Sequence, residues 1–226
     1  MADQIPFAPD IRLAENPEDR CPCVLLLDVS DSMSGEPIAE INAGVQAFRN
    51  DLVTDTLAAQ RVEVAVVTFG GTIETRIPFT CVDEFQPPTL TTSGDTPMGA
   101  AIVRAISMVN DRKQRYREAR VHYYRPWIFM VTDGQPTDSW EAAAEEVKRG
   151  EADKRFAFFA IGTPDANFDT LRRISTRVPL RTSVIKFREM FLWLSGSQRA
   201  VSRSRVGDED KVPFADPTGP KGWATL

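Results

Sequence analysis

Four short apolar runs constrain this chain more than any other feature. They are Cys23 to Leu27, Val62 to Phe69 (VEVAVVTF), Trp127 to Thr132 (WIFMVT) and Phe156 to Ile161 (FAFFAI). Val62 to Phe69 is rich in β-branched residues, and the other three are apolar at consecutive rather than alternate positions, the pattern of a strand covered on both faces. Helical segments separate them. Ile38, Ile41, Val45, Phe48 and Leu52 recur at helical spacing over Pro37 to Leu52, with the proline tolerated in the first turn, and Met98, Ala101, Ile102, Ala105 and Val109 do so in a helix starting near Pro97. Further helices are expected from Trp140 to Lys154, around Phe168 to Ile174 and from Arg188 to Val201, with a weaker strand at Ser183 to Phe187. Val62 to Phe69 closes on Gly70-Gly71, and Thr72 to Phe79 then alternates as an antiparallel edge strand. The pattern predicts an α/β fold: a doubly wound, mostly parallel central sheet with one antiparallel edge strand and helices on both faces.

With 226 residues, 42% of them hydrophobic, the chain can build one substantial core. We expect an N-terminal extension over residues 1–20, the domain over 21–200 and a tail over 201–226. The tail is rich in proline and glycine, and Trp223 is expected to dock on the domain surface. No apolar run approaches the roughly 20 residues that span a bilayer. The start, Met-Ala-Asp-Gln, has neither a basic region nor a hydrophobic segment after it, so a cytoplasmic protein is expected. Three cysteines, Cys21, Cys23 and Cys81, make an odd count that argues against a disulfide framework, and the Cys21/Cys23 pair has no histidine or second pair to complete a tetrahedral metal site. A net charge of −5 disfavours a general nucleic-acid binder. The cations Arg112, Lys113, Arg115, Arg117 and Arg120 read as a solvated helix end that complements the helix dipole.

The stretch VLLLDVSDSM, Val24 to Met33, sets Asp28, Ser30 and Ser32 at every second position where the first strand stops. The Trp127 strand also ends in an aspartate, Asp133, and the loop TTSGDTPMGAA delivers Thr96 to a helix start. In a doubly wound sheet, ligands bind at the carboxyl ends of the strands where strand order reverses. If the first strand and the Trp127 strand adjoin there, these five side chains converge, and all of them offer oxygen. Hard divalent cations take such ligands, magnesium in a near-octahedral array that keeps some of its water. Two carboxylates only balance the ion's charge, so an open coordination position stays electrophilic toward an incoming carboxylate.

DVSDSM, SGDTPMGAAI and VTDGQPTD resemble, in order and spacing, the metal-ion-dependent adhesion site of von Willebrand factor A domains, over about Cys21 to Ala200. The resemblance implies that Asp28, Ser30, Ser32, Thr96 and Asp133 ligate Mg2+, or another divalent cation such as Mn2+ or Ca2+. It also implies that the first strand is central, and that the function is binding an acidic residue of a partner protein rather than catalysis. GEPIAEINAGVQAF, TPMGAAI and FLWLSGSQRAVSRS are similar to the bacterial TerY-type proteins of tellurium-resistance clusters. That similarity implies a scaffold in a stress response, beside a kinase or phosphatase encoded nearby. The resemblance further implies, as an expectation, that a shift between Thr96-bound and Asp133-bound arrangements couples ligand arrival to movement of the last helix, Arg188 to Val201.

Other readings fare less well. Turn and cap preferences explain one Ser/Asp motif but not three in this order. A magnesium-dependent phosphohydrolase is the alternative, yet the haloacid dehalogenase pattern needs a second acid two residues after Asp28, where Ser30 stands. Gly94 to Gly99 has P-loop glycine spacing, but Ala100 and Ala101 replace its lysine and hydroxyl. His122, the sole histidine, precedes the Trp127 strand and so falls at the far end of the sheet from the crevice. Trp140 and the run Phe156, Phe158 and Phe159 read as core.

Overall fold

The computed structural model describes residues 16–133, 135–182, 186–208, 211–218 and 222–225. A seven-stranded sheet runs through it in the order β3-β2-β1-β4-β5-β6-β7. The strands are β1 (Cys21–Asp28), β2 (Val62–Gly70), β3 (Thr72–Cys81), β4 (Trp127–Thr132), β5 (Ala157–Gly162), β6 (Leu180–Thr182) and β7 (Ala224–Thr225). Strands β2, β1, β4, β5 and β6 are parallel, and both edges, β3 and β7, are antiparallel. The helices are α1 (Glu36–Leu52), α2 (Thr56–Arg61), α3 (Met98–Ala119), α4 (Glu141–Ala152), α5 (Phe168–Ile174) and α6 (Phe187–Ser202).

Consecutive apolar positions in the central strands serve two cores, because successive side chains leave opposite faces of a strand. Leu25, Leu27, Val64, Val66 and Phe129 pack with Phe48 of α1 and Phe191 of α6. Val24, Leu26, Val67, Ile128 and Met130 pack with Ile102 and Val109 of α3 and Val147 of α4. All residues of β1 are buried, and each fully buried leucine or valine contributes roughly 1.5–3 kcal/mol.

Three expectations need correction. The sheet has two antiparallel edges, not one, because the chain returns after α6 and Ala224 pairs with Thr182. The strand expected at Ser183 to Phe187 falls partly on residues 183–185, which lie outside the described residues; the described strand ends at Thr182, and Phe187 opens α6. Arg112 is not part of a solvated helix end. It is buried, and its Nε and Nη2 donate to Glu63 at 2.7 and 2.8 Å, while Arg115, Arg117 and Arg120 are exposed. Helix α2 was not anticipated; the Asp55 carboxylate caps it by accepting from the Leu57 and Ala58 N–H groups.

Residues 1–15 of the expected extension lie outside the described residues, whereas Arg20 is fully buried and its Nε donates to Glu63 at 3.1 Å. In the tail, Trp223 is only 4% exposed and its ring centroid sits 5.8 Å from that of Trp193. Trp193 Nε1 donates to the Ala215 carbonyl at 2.7 Å, and Phe214 stands edge-on to Trp127 at 5.4 Å. Few apolar residues suffice here because they meet an aromatic surface. Trp223→Ala is expected to cost about 3 kcal/mol, read as a lower urea midpoint at unchanged slope. A midpoint equal to wild type would show that the tail contributes nothing to the fold.

Candidate metal centre

Strand order reverses between β1 and β4: the chain leaves β1 toward β2 on one side and later returns to β4 on the other. Register pairs Leu27 with Val131, which sets Thr132 level with Asp28 at the strand ends. Thr132 Oγ1 donates to Asp28 Oδ2 at 2.6 Å, and the Ser30 N–H donates to Asp28 Oδ1 at 2.9 Å. The Asp28 side chain is buried, and both of its oxygens accept hydrogen bonds. Burial pushes its carboxyl up to about 6; the bonds from Ser30 and Thr132 hold it down in part, and the charge of Asp133 raises it further.

After β1 the chain tightens into a 3-10 turn at Asp31–Met33, which brings Ser30 Oγ within 3.0 Å of Ser32 Oγ. Ser30 is buried and Ser32 exposed, so the hydroxyl pair leads from the core to the surface.

The Thr96 loop is bound to this turn. Ser93 N–H donates to the Val29 carbonyl, Asp31 N–H to the Gly94 carbonyl, and Gly94 N–H to Asp31 Oδ1, all at 2.8–3.0 Å. Gly94 has φ of +66°, and a Cβ there would lie 2.7 Å from Gly71 Cα, so only glycine lets the loop lie this close. Thr96 itself is buried.

Asp133 follows β4 and is half-buried, and its Oδ1 is enclosed and has no hydrogen-bond partner among the described residues. A carboxylate oxygen enclosed in this way is costly unless water or an ion meets it. Among the described residues no group of three or more His, Cys, Asp or Glu side chains is placed to hold a metal. The five side chains expected to converge here carry two carboxylates and three hydroxyls, the oxygen donors that suit a hard divalent ion.

Direct hydrogen bonds join Asp28, Ser30 and Ser32; Asp133 lies within electrostatic reach of Asp28; Thr96 is tied in through its loop. Four neighbours were not singled out from the sequence: Thr132, Asp31, Thr137 and Asp138. The last two lie within VTDGQPTD, and their role depends on a partner segment distant in sequence. None of the three cysteines forms a disulfide. Cys21 Sγ bonds Gln198 Oε1 at 2.9 Å, burial pushes the Cys23 thiol far up, and burial raises Cys81 to about 11. Burial thus keeps the Cys23 and Cys81 thiols neutral. His122 is exposed beside Arg20, at the opposite end of the sheet.

Solved structures share this fold at low sequence identity. The SpaC pilus adhesin of Lactobacillus rhamnosus GG in its open conformation superposes with a TM-score of 0.67 at 13% identity, covering 81% of this chain and 31% of that one. The ArnB paralog VWA2 of Sulfolobus acidocaldarius gives 0.54 at 15% identity, covering 79% and 45%. Manganese-loaded TRAP of Plasmodium vivax gives 0.50 at 22% identity, covering 69% and 62%. The chain thus spans about a third of the length of the SpaC adhesin. No curated protein matches the chain by sequence. The model of the von Willebrand factor type A domain matches residues 23–189, a span that holds both strand-end aspartates, the serine pair and the Thr96 loop, and the chain belongs to that family.

Proposed function

We propose that this chain is a non-catalytic protein-binding module that holds one divalent cation, Mg2+ or Mn2+, and presents it to an acidic side chain of a partner protein. The carrying observation is buried Asp28 within electrostatic reach of Asp133, whose Oδ1 is enclosed and has no hydrogen-bond partner among the described residues. Asp28 supplies the anchoring charge, oriented by Thr132 and the Ser30 N–H. Ser30 and Ser32 add neutral oxygens, Thr96 adds a hydroxyl from the facing loop, and Asp133 supplies the second carboxylate. The cation, once bound, offers an electrophilic position that a partner's carboxylate occupies. The manganese-loaded TRAP protein and the SpaC pilus adhesin share the fold, and their names support a reading as a cation-holding, partner-binding module.

The finer assignment we propose is a TerY-type scaffold of a bacterial tellurium-resistance or stress-response system, working in the cytoplasm beside a kinase or phosphatase. Its support is the sequence similarity at GEPIAEINAGVQAF and FLWLSGSQRAVSRS. Among the described residues no helix is long and apolar enough to cross a membrane.

Calorimetric titration with Mn2+ and Mg2+ tests the cation, and a pull-down tests its use. Partners retained by wild type in Mg2+ are expected to be lost both in chelator and with Asp28→Ala. Retention in either condition counts against the proposal. Turnover of a generic phosphate ester in Mg2+ that Asp28→Ala abolishes would instead establish the phosphohydrolase.

A further inference from the structure

The loop after β4 carries more than Asp133. Thr137 and Asp138 reach from it to the segment that delivers Thr96. Thr137 Oγ1 accepts the Thr96 N–H at 3.1 Å, and the Thr137 N–H donates back to the Thr96 carbonyl at 3.0 Å. Asp138 Oδ1 accepts the Gly99 N–H at 2.9 Å, and Oδ2 accepts the Ala100 N–H at 2.8 Å. Helix α3 is 22 residues long and its own N-cap, Pro97, makes no side-chain cap bond. Two of its first-turn N–H groups, those of Gly99 and Ala100, are thus satisfied from another loop, by a carboxylate that also suits the positive pole of the helix. The two segments lie in direct contact: a Cβ on Gly99 would stand 2.8 Å from Trp140 Cα and run into the Ser139 carbonyl.

We infer that Thr137 and Asp138 form a clasp that fixes the spacing between Thr96 and Asp133, which makes Asp138 a positioning residue for cation binding. This rests on the proposed function. Thr96 and Asp133 belong to separate loops, and magnesium demands near-octahedral oxygens at about 2.0–2.1 Å, so small independent movements of the loops spoil the shell. Four hydrogen bonds join the loops before any ion arrives, and the ordering cost is already met in the fold. Groups that orient metal ligands typically change affinity by about 10–100-fold when removed.

Asp55 provides a matched control. Its carboxylate also caps a helix with two bonds, from the Leu57 and Ala58 N–H groups at 3.1 and 3.2 Å, but it caps α2 and takes no part in the candidate site. The experiment measures Mn2+ affinity by the electron paramagnetic resonance signal of free Mn2+, together with melting temperature, on the full chain. Asp138→Ala is expected to bind Mn2+ at least about tenfold more weakly than wild type. Asp138→Asn keeps one acceptor oxygen and is expected to fall between; it carries the comparison if the alanine variant does not fold. Asp55→Ala is expected to melt earlier yet bind Mn2+ like wild type. Wild-type Mn2+ affinity in the folded Asp138 variants, or an equal loss in Asp55→Ala, overturns the clasp and leaves the cation reading standing. A wild-type protein that takes up no Mn2+ overturns both.

Discussion

Asp28→Asn is expected to lose divalent-cation binding by about a hundredfold or more and yet, without cation at pH 7, to unfold no earlier than wild type. The two effects separate because burial makes the Asp28 charge unfavourable in the cation-free fold, lifting its carboxyl to about 6. Asparagine removes that charge and keeps the shape. Its amide oxygen still accepts from the Ser30 N–H, and the Thr132 hydroxyl can rotate to accept from the amide nitrogen. For wild type the folded state holds a proton that the unfolded chain releases at its ordinary, lower range. Cation-free stability therefore falls as pH rises from about 4 to 6, a slope that Asp28→Asn abolishes. The cation reverses the balance: at a hundred times its dissociation constant it adds about 2.7 kcal/mol to wild type and nothing to the variant. Below about pH 6 protons compete with the cation for Asp28 and its uptake weakens. Thermal unfolding with and without Mn2+ across this range checks each part. A variant stabilised by Mn2+ as strongly as wild type would remove Asp28 from the site.

Glu63→Ala is expected to destabilise the protein by about 3–5 kcal/mol while leaving cation affinity unchanged in the folded population. Glu63 is 1% exposed at the start of β2, and it accepts from Arg20, from two nitrogens of Arg112 and from the Tyr116 hydroxyl. Burial pulls the Arg112 guanidinium down, but its bonds and charge pairing with Glu63 more than offset this and leave it raised. Removing the carboxylate takes the charge partner from two buried guanidiniums, Arg20 and Arg112, and no conformation of alanine replaces the lost acceptors. Asp28 lies at the other end of the neighbouring strand, so the loss does not reach the candidate site. Urea unfolding measures the first effect and calorimetric Mn2+ titration the second. A loss below about 1 kcal/mol would mean that water reaches the arginines and that the cluster is a surface pair.

Much of the architecture is legible in the chain before folding. Consecutive apolar residues at Val24 to Leu27 and Trp127 to Val131 announce strands covered on both faces, and the helical spacing between them announces a parallel sheet. The strand ends point to Asp28 and Asp133, because an acid directly after a buried run must sit at the sheet's edge. Helix α2 carried a readable signal in its cap, Asp55, but its six residues are too short for a periodic pattern. Strand β7 has two residues and no pattern at all.

Local sequence dictates polarity along each element, since side-chain direction follows from backbone periodicity alone. It marked the oxygen-bearing residues and the two faces of the sheet. Which groups meet depends on strand order and loop packing, and these are settled when distant segments bury their apolar faces together. Thr132 against Asp28, Asp138 on the start of α3, and Arg112 on Glu63 join residues 104, 39 and 49 positions apart. No local pattern specifies such pairs, because each partner acquires its meaning only when the other is beside it.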